Sequence, residues 1–156
     1  MDYNIKMIKH FTLAFLALFL TACASTPKGP SFSSINEISN AEKALVYIYR
    51  PGVYYGKAIT YPVLLNDNKI ADIGHNGYFS IEVDPGEYSI RPDTASIDHD
   101  LKVKFEPGST TYLKLKTNEK FALCFCTSLQ FVEVDKMLAV LELKETKAET
   151  DRVYYK

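Results

Sequence analysis

Apolar and polar positions follow a two-residue period along most of this chain. Ala44-Leu-Val-Tyr-Ile-Tyr-Arg50 is dense in β-branched and aromatic residues and stops at Pro51-Gly52, the composition of a strand closed by a turn. Ile59 to Asn66 predicts a second strand and Lys69 to Ile73 a third, with Asp67-Asn68 as the polar turn between them. Beyond the turn Gly74-His75-Asn76-Gly77, strands are expected at Tyr78 to Val83 and Tyr88 to Arg91. Leu101-Lys-Val-Lys-Phe105 and Tyr112-Leu-Lys-Leu-Lys116 alternate strictly, as strands with one buried face do. Phe121 to Val134 is a long apolar run and predicts a central strand buried on both faces.

Three Pro-Gly pairs close strands, at Pro51-Gly52, Pro85-Gly86 and Pro107-Gly108. Proline presets the first corner of a type II turn and glycine accepts the positive φ of the second. One helix is expected, from an N-cap at Asp135 to about Lys147, with Met137, Leu138 and Leu141 on one face. A strand through Val140 to Leu143 competes with it. Short strands in a meander with one late helix predict an all-β fold, a small antiparallel β-sandwich with a short C-terminal helix.

The N-terminus follows another pattern. Lys6, Lys9 and His10 precede an apolar run from Phe11 to Leu20, and no acid occurs between Asp2 and Glu37. A basic start, about ten apolar residues and a small-residue end are the anatomy of a signal peptide; a membrane-spanning helix needs about 20 apolar residues. Met7 offers an alternative start to Met1. Leu20-Thr21-Ala22-Cys23 resembles a lipobox, the processing site of bacterial lipoproteins. That resemblance implies cleavage before Cys23, acylation of its thiol, and an anchor to which each buried methylene adds about 0.8 kcal/mol. Ala24 and Ser25 follow where aspartate marks inner-membrane retention, so the resemblance implies the outer membrane, and the leading reading places the domain on its periplasmic face. Residues 23–41, rich in Ser, Pro, Gly and Asn, then read as a flexible tether, although Phe32, Ile35 and Ile38 offer a docking stripe or one helical turn. The expected organisation is a signal peptide at 1–22, the tether at 23–41, a sandwich at 42–145 and a loosely held tail at 146–156.

Composition adds little to this picture. The 156 residues suffice for one domain, and 47% hydrophobic with 24% charged residues is ordinary for a globular chain. A formal charge of −1 provides no basic footprint for nucleic acid. Loss of residues 1–22 would remove one acid and two bases and lower the charge by one.

Val46-Tyr-Ile-Tyr-Arg-Pro-Gly52, Val63-Leu-Leu-Asn66, Ile70-Ala-Asp-Ile73 and Tyr78-Phe79 leading into Val83-Asp-Pro-Gly-Glu-Tyr88 resemble a family of Gram-negative lipoproteins defined only as a domain of unknown function. The pattern is similar to small prealbumin-like and PEGA-like β-sandwich modules and covers roughly residues 42–117. The resemblance implies a fold and carries no catalytic residue.

Chemistry-bearing residues are few. His75 lies in a glycine turn and His99 in Asp98-His99-Asp100, where neighbours on a strand would point to opposite faces and share no metal ion. Cys124 and Cys126 lie two apart, and three readings stand open: buried reduced thiols, a strained disulfide, or a redox or metal site. No Gly-x-Ser-x-Gly elbow, phosphate loop or His-Glu-x-x-His helix occurs, so neither an enzyme nor a cofactor is expected. Tyr47 and Tyr49 share a strand face and are expected to pack. Tyr54 and Tyr55, beside Arg50 and Lys57, form either a contact patch for protein, glycan or lipid headgroup or a loop folded back onto the sheet. The leading expectation is a non-enzymatic envelope-binding module tethered to a membrane. The alternatives are a periplasmic redox or hydrolytic enzyme using Cys124 and Cys126, and a ligand-binding lipoprotein displayed on the cell surface.

Overall fold

The computed structural model describes residues 26–53, 56–94, 100–118 and 128–155. Among them nine strands form two sheets, with one α-helix. The strands are β1 (Ala44–Arg50), β2 (Tyr61–Leu65), β3 (Asn68–Ile73), β4 (Gly77–Val83), β5 (Gly86–Pro92), β6 (Leu101–Phe105), β7 (Thr110–Asn118), β8 (Ser128–Val134) and β9 (Lys147–Ala148). Helix α1 spans Lys136–Leu143. One sheet runs β8-β7-β1-β4-β9 and the other β3-β2-β5-β6.

The fold is the expected all-β sandwich with one late helix, but its larger sheet is mixed. β1 pairs antiparallel with β4 and parallel with β7, and β4 pairs parallel with β9. A parallel pair needs a long crossover between its strands, and here the whole second sheet is inserted between β1 and β7. Local patterning predicts strands but not which distant strand lies beside them, so this pairing was not legible.

Alternation along β1 sorts its residues to two faces. Ala44, Val46 and Ile48 join Phe79, Ile81, Leu113 and Phe131 in the core between the sheets, facing Val63, Ile73, Ile90 and Phe105. Leu45, Tyr47 and Tyr49 face the other way and are equally buried. Their cover comes from Ala139 and Leu143 of α1 and from Phe32, with Ile35 and Ile38 half-buried beside them. The molecule therefore has three layers, and β1, buried along its whole length, is the central strand. The run expected to be central places β8 at the edge of the larger sheet instead, and its residues 119–127 lie outside the described residues.

The docking stripe of Phe32, Ile35 and Ile38 is realised, and the looseness expected of the tether and of the tail is corrected. The described part of the expected tether is bound: Gly29 N–H donates to Ala148 O (3.1 Å), Ala148 N–H to Pro30 O (2.8 Å) and Phe32 N–H to Thr146 O (3.1 Å). The Phe32 ring meets Tyr47 and Tyr78 edge-on, with centroids 6.2 and 5.5 Å away. Burying an aromatic side chain outweighs the chain entropy that the proline- and serine-rich composition suggested would keep the segment free. The C-terminal tail likewise crosses to the β3 edge, where Asp72 N–H donates to Arg152 O (2.9 Å) and Tyr154 N–H to Ile70 O (2.7 Å). Unsatisfied edge groups are a standing demand in any sheet, and the tail meets them.

Of the three Pro-Gly pairs only Pro107-Gly108 forms the expected turn, since Gly52 has no positive φ and Gly86, at φ 157°, is extended and opens β5. Ser109 N–H donates to Glu106 O (3.2 Å) around Gly108 at φ +69°, as a Pro-Gly turn requires. Asn66 and Asp67, at φ 47° and 62°, form the two-residue connection between β2 and β3. Asp135 caps α1 by accepting from Met137 N–H (2.9 Å) and Leu138 N–H (3.1 Å). The helix buries Ala139 and Leu143, whereas Met137, Leu138 and Leu141, the stripe expected to pack, are exposed.

Candidate functional site

Strand β1 ends at the pole of the sandwich where its last residue, Arg50, points inward by the same alternation that buries Val46 and Ile48. Arg50 is 1% exposed. Its Nη1 donates to Ile59 O (2.6 Å) and its Nη2 to Gly56 O (2.8 Å), and the guanidinium lies 4.6 Å from the centroid of the Tyr61 ring. Burial lowers its pKa, opposed by the Tyr61 and Glu149 side chains. Arg50 therefore holds Gly56 and Ile59 of the 51–60 connection from inside rather than offering itself to a partner, which corrects its place in the expected contact patch. The sequence concealed this because a strand-end arginine ordinarily reaches solvent.

Glu149 lies at the same pole, 6% exposed. Its Oε1 accepts from Gly74 N–H (2.6 Å). Burial raises its pKa, while the Gly74 hydrogen bond and Arg152 pull it back. A Cβ on Gly77 would lie 2.5 Å from Glu149 Oε1 and 3.1 Å from Pro27 Cγ, so this glycine is what lets the N-terminal segment, β4 and the tail converge.

Next to this buried cluster an open cleft of about 420 Å³ is lined by Gly52, Lys57, His75, Asn76, Glu142 and Glu145, among others. Glu142 is held by the layer beneath: its carboxylate accepts from Tyr49 Oη (2.6 Å) and pairs with Lys114 Nζ. Burial, and then the Glu142 hydrogen bond, raises the pKa of Tyr49. His75 Nδ1 is buried without a hydrogen-bond partner among the described residues. Burial lowers its pKa, and the Arg50 and Lys57 charges act in the same direction. The cleft thus carries the Lys57 ammonium and the His75 imidazole on its loop side and the carboxylates of Glu142 and Glu145 on its helix side. A second hollow of about 530 Å³, lined by Asn66, Tyr88, Lys102 and Lys104 among others, lies on the smaller sheet.

Of the residues singled out in the sequence, Lys57 is exposed and lines the first cleft. Tyr54, Tyr55, Cys23, His99, Cys124 and Cys126 lie outside the described residues. His75, Asn76, Glu142 and Glu145 were not foreseen as neighbours. The glycines around His75 signalled the turn, but nothing in the sequence linked it to α1, about 70 positions away. Among the described residues no group of three His, Cys, Asp or Glu side chains is arranged to hold a metal ion, and no helix is long and apolar enough to cross a membrane.

The class defined by this architecture is a two-sheet β-sandwich overlaid by a helix and an N-terminal segment. Residues 40–124 match the family described as "Protein of unknown function (DUF2846)", and the chain belongs to that family. The matched stretch covers β1 to β7, whereas α1, β9 and the acidic side of the cleft lie beyond it. Neither the curated proteins nor the solved structures contain a match to the chain.

Proposed function

We propose that this chain is a lipoprotein of the bacterial envelope, acylated at Cys23, held on the periplasmic face of the outer membrane, and acting as a non-enzymatic module that binds another envelope component. The observation that carries this reading is the seating of the N-terminal segment. Cys23, the last residue of the lipobox-like Leu20-Thr21-Ala22-Cys23, is only three positions before Thr26, and from Pro27 onward the chain is packed on the domain. An extended residue spans at most about 3.6 Å, so acyl chains on Cys23, four positions before the Pro27 that abuts Gly77, would hold the Arg50–Gly77 pole within about 14 Å of the bilayer. A lipid-borne domain docked so closely is presented at the membrane rather than on a long leash.

The two-sided charge of the cleft favours a polar partner bearing both signs, such as a protein segment or a peptide-bearing glycan, over nucleic acid, which needs a basic face. Kinship with PEGA-like and prealbumin-like β-sandwich modules belongs to the same reading and is supported by the two facing sheets.

Metabolic labelling with palmitate, comparing wild type with Cys23→Ala and followed by membrane separation, tests the anchor. Label in the outer-membrane fraction that disappears in the variant is expected. Equal labelling of both, or none in either, would overturn the reading and leave a domain without a lipid anchor at Cys23.

A further inference from the structure

Four strands end the two sheets, and the chain itself takes two of these edges. Residues 29–31 lie along β9, with a bridge between Ser31 and Lys147, and the tail lies along β3, with a bridge between Ala71 and Val153. β6 and β8 end the sheets on their other sides. The hydrogen bonds of β5 decide which backbone groups of β6 face outward. Ser89 N–H donates to Asn66 Oδ1 (2.9 Å), and Ser89 O accepts from Asn66 N–H (2.9 Å), so the Ser89 backbone is turned toward β2. Backbone groups of successive strand residues point to alternate sides. Tyr88 and Ile90 therefore bond to β6, where they stand opposite Val103 and Leu101. The N–H and C=O groups of Lys102 and Lys104 then point away from the sheet, and no described backbone group bonds to them.

The side chains of this edge follow the same parity. Leu101, Val103 and Phe105 pack into the core, whereas Lys102 and Lys104 are exposed on the outer face. Lys104 reaches Glu106 (2.7 Å) in a pair open to solvent on both sides, of a kind that contributes little. Across β5, Glu87 already stands opposite Lys104. The hollow of about 530 Å³ bordered by Glu87, Ser89, Lys102 and Lys104 leaves room for further carboxylates there. A second copy of the chain is a poor source of the missing strand. Only residues whose backbone faces the edge form the hydrogen-bonded pairs, so pairing two β6 strands along their length sets lysine opposite lysine. Like charges directly opposite are destabilising, which is how edge lysines guard against self-association. An acidic residue in the same place is favoured instead.

We infer that β6 is a strand-addition site for an extended segment of a partner protein in which acidic residues alternate with apolar ones. The acidic residues lie opposite Lys102 and Lys104 and bond to their N–H and C=O groups. The apolar residue between them lies beside Val103, at the rim of the core. In this mode of recognition main-chain hydrogen bonds supply affinity, and alternate side chains supply specificity. The site shares no residue with the cleft that holds His75 and Glu142.

The test uses the chain as the cell processes it, purified in detergent micelles and isotopically labelled for nuclear magnetic resonance. The probe is a blocked heptapeptide of alternating glutamate and valine, and a lysine–valine peptide of the same length is its control. With the glutamate peptide about tenfold above its dissociation constant, amide exchange at Lys102 and Lys104 should slow by about tenfold. Exchange at Leu101 and Val103, already bonded to β5, should not change. Lys102→Glu with Lys104→Glu should weaken the glutamate peptide by about tenfold, the factor that two reversed cross-strand pairs support. The same variant should prefer the lysine peptide, a gain that also shows it to be folded. A glutamate peptide N-methylated on the amides that face β6 should not bind. No binding of the glutamate peptide, equal binding of the two peptides, or binding that survives N-methylation would overturn the inference. So would protection of Lys102 and Lys104 that grows with protein concentration in the absence of peptide, which would give the edge to a second copy.

Discussion

Replacing Arg50 by methionine keeps a long unbranched stem in the core and removes the guanidinium fork. Two charge-assisted hydrogen bonds are lost, to Ile59 O and Gly56 O at 2.6 and 2.8 Å. Each is worth about 1.5–3 kcal/mol net. The contact with the Tyr61 ring adds about 1 kcal/mol. Against this stands the relief of burying an ion, roughly 2 kcal/mol after relaxation. The balance is a loss of about 2–5 kcal/mol. With a urea m-value of about 1.5 kcal/mol per molar for a domain of this size, the unfolding midpoint should fall by roughly 1.3–3.3 M. Arg50→Lys should lose about half as much, because a single ammonium cannot span two carbonyls held by a fork. Amide exchange at Ile59, whose N–H donates to Gly56 O (3.0 Å), should accelerate in both variants. A midpoint for Arg50→Met within about 0.3 M of wild type would refute the reasoning and show that the buried charge merely offsets its own desolvation.

Two further outcomes concern the segments that pattern alone left loose. Phe32→Ala should destabilise by about 3 kcal/mol and speed tryptic cleavage after Lys28, because the ring against Tyr47 and Tyr78 is what seats the N-terminal segment; unchanged cleavage would show that the backbone bonds to β9 suffice. Glu149 has a pKa raised by burial from its ordinary 4.5, so folding favours its neutral form. Its contribution is complete below that ordinary value and declines as pH rises toward the raised one. Glu149→Gln, which still offers an oxygen to Gly74 N–H, should therefore flatten the fall in the urea midpoint as pH rises above about 4.5, and parallel profiles for the two proteins would contradict the assignment.

Local chemistry made much of the fold legible. Two-residue alternation placed the strands, and Glu106-Pro107-Gly108-Ser109 closes a turn as its residue types require. Asp135 caps the helix because its short carboxylate reaches two free N–H groups at once. The face of that helix was not legible. Met137, Leu138 and Leu141 are the more apolar stripe, but Glu142, on the other side, is held by Tyr49 and Lys114 from the sheet below. Ala139, being small, allows the helix to lie close on the tyrosines. Position in the fold overruled local hydrophobicity.

The sequence by itself determined where β1 to β7 lie, that one helix follows β8, and that Tyr47 and Tyr49 share a face, because each depends on neighbours a few residues away, whereas β9, at the end of the stretch expected to be helix, was not legible. Only the tertiary structure decided that β1 is central and that Arg50 is buried. It alone brought the N-terminal segment and the tail onto the sheets, and His75 and Lys57 opposite Glu142 and Glu145. These are contacts between residues far apart in the chain, chosen by the total burial and hydrogen bonding of the whole molecule rather than by the preference of any one segment.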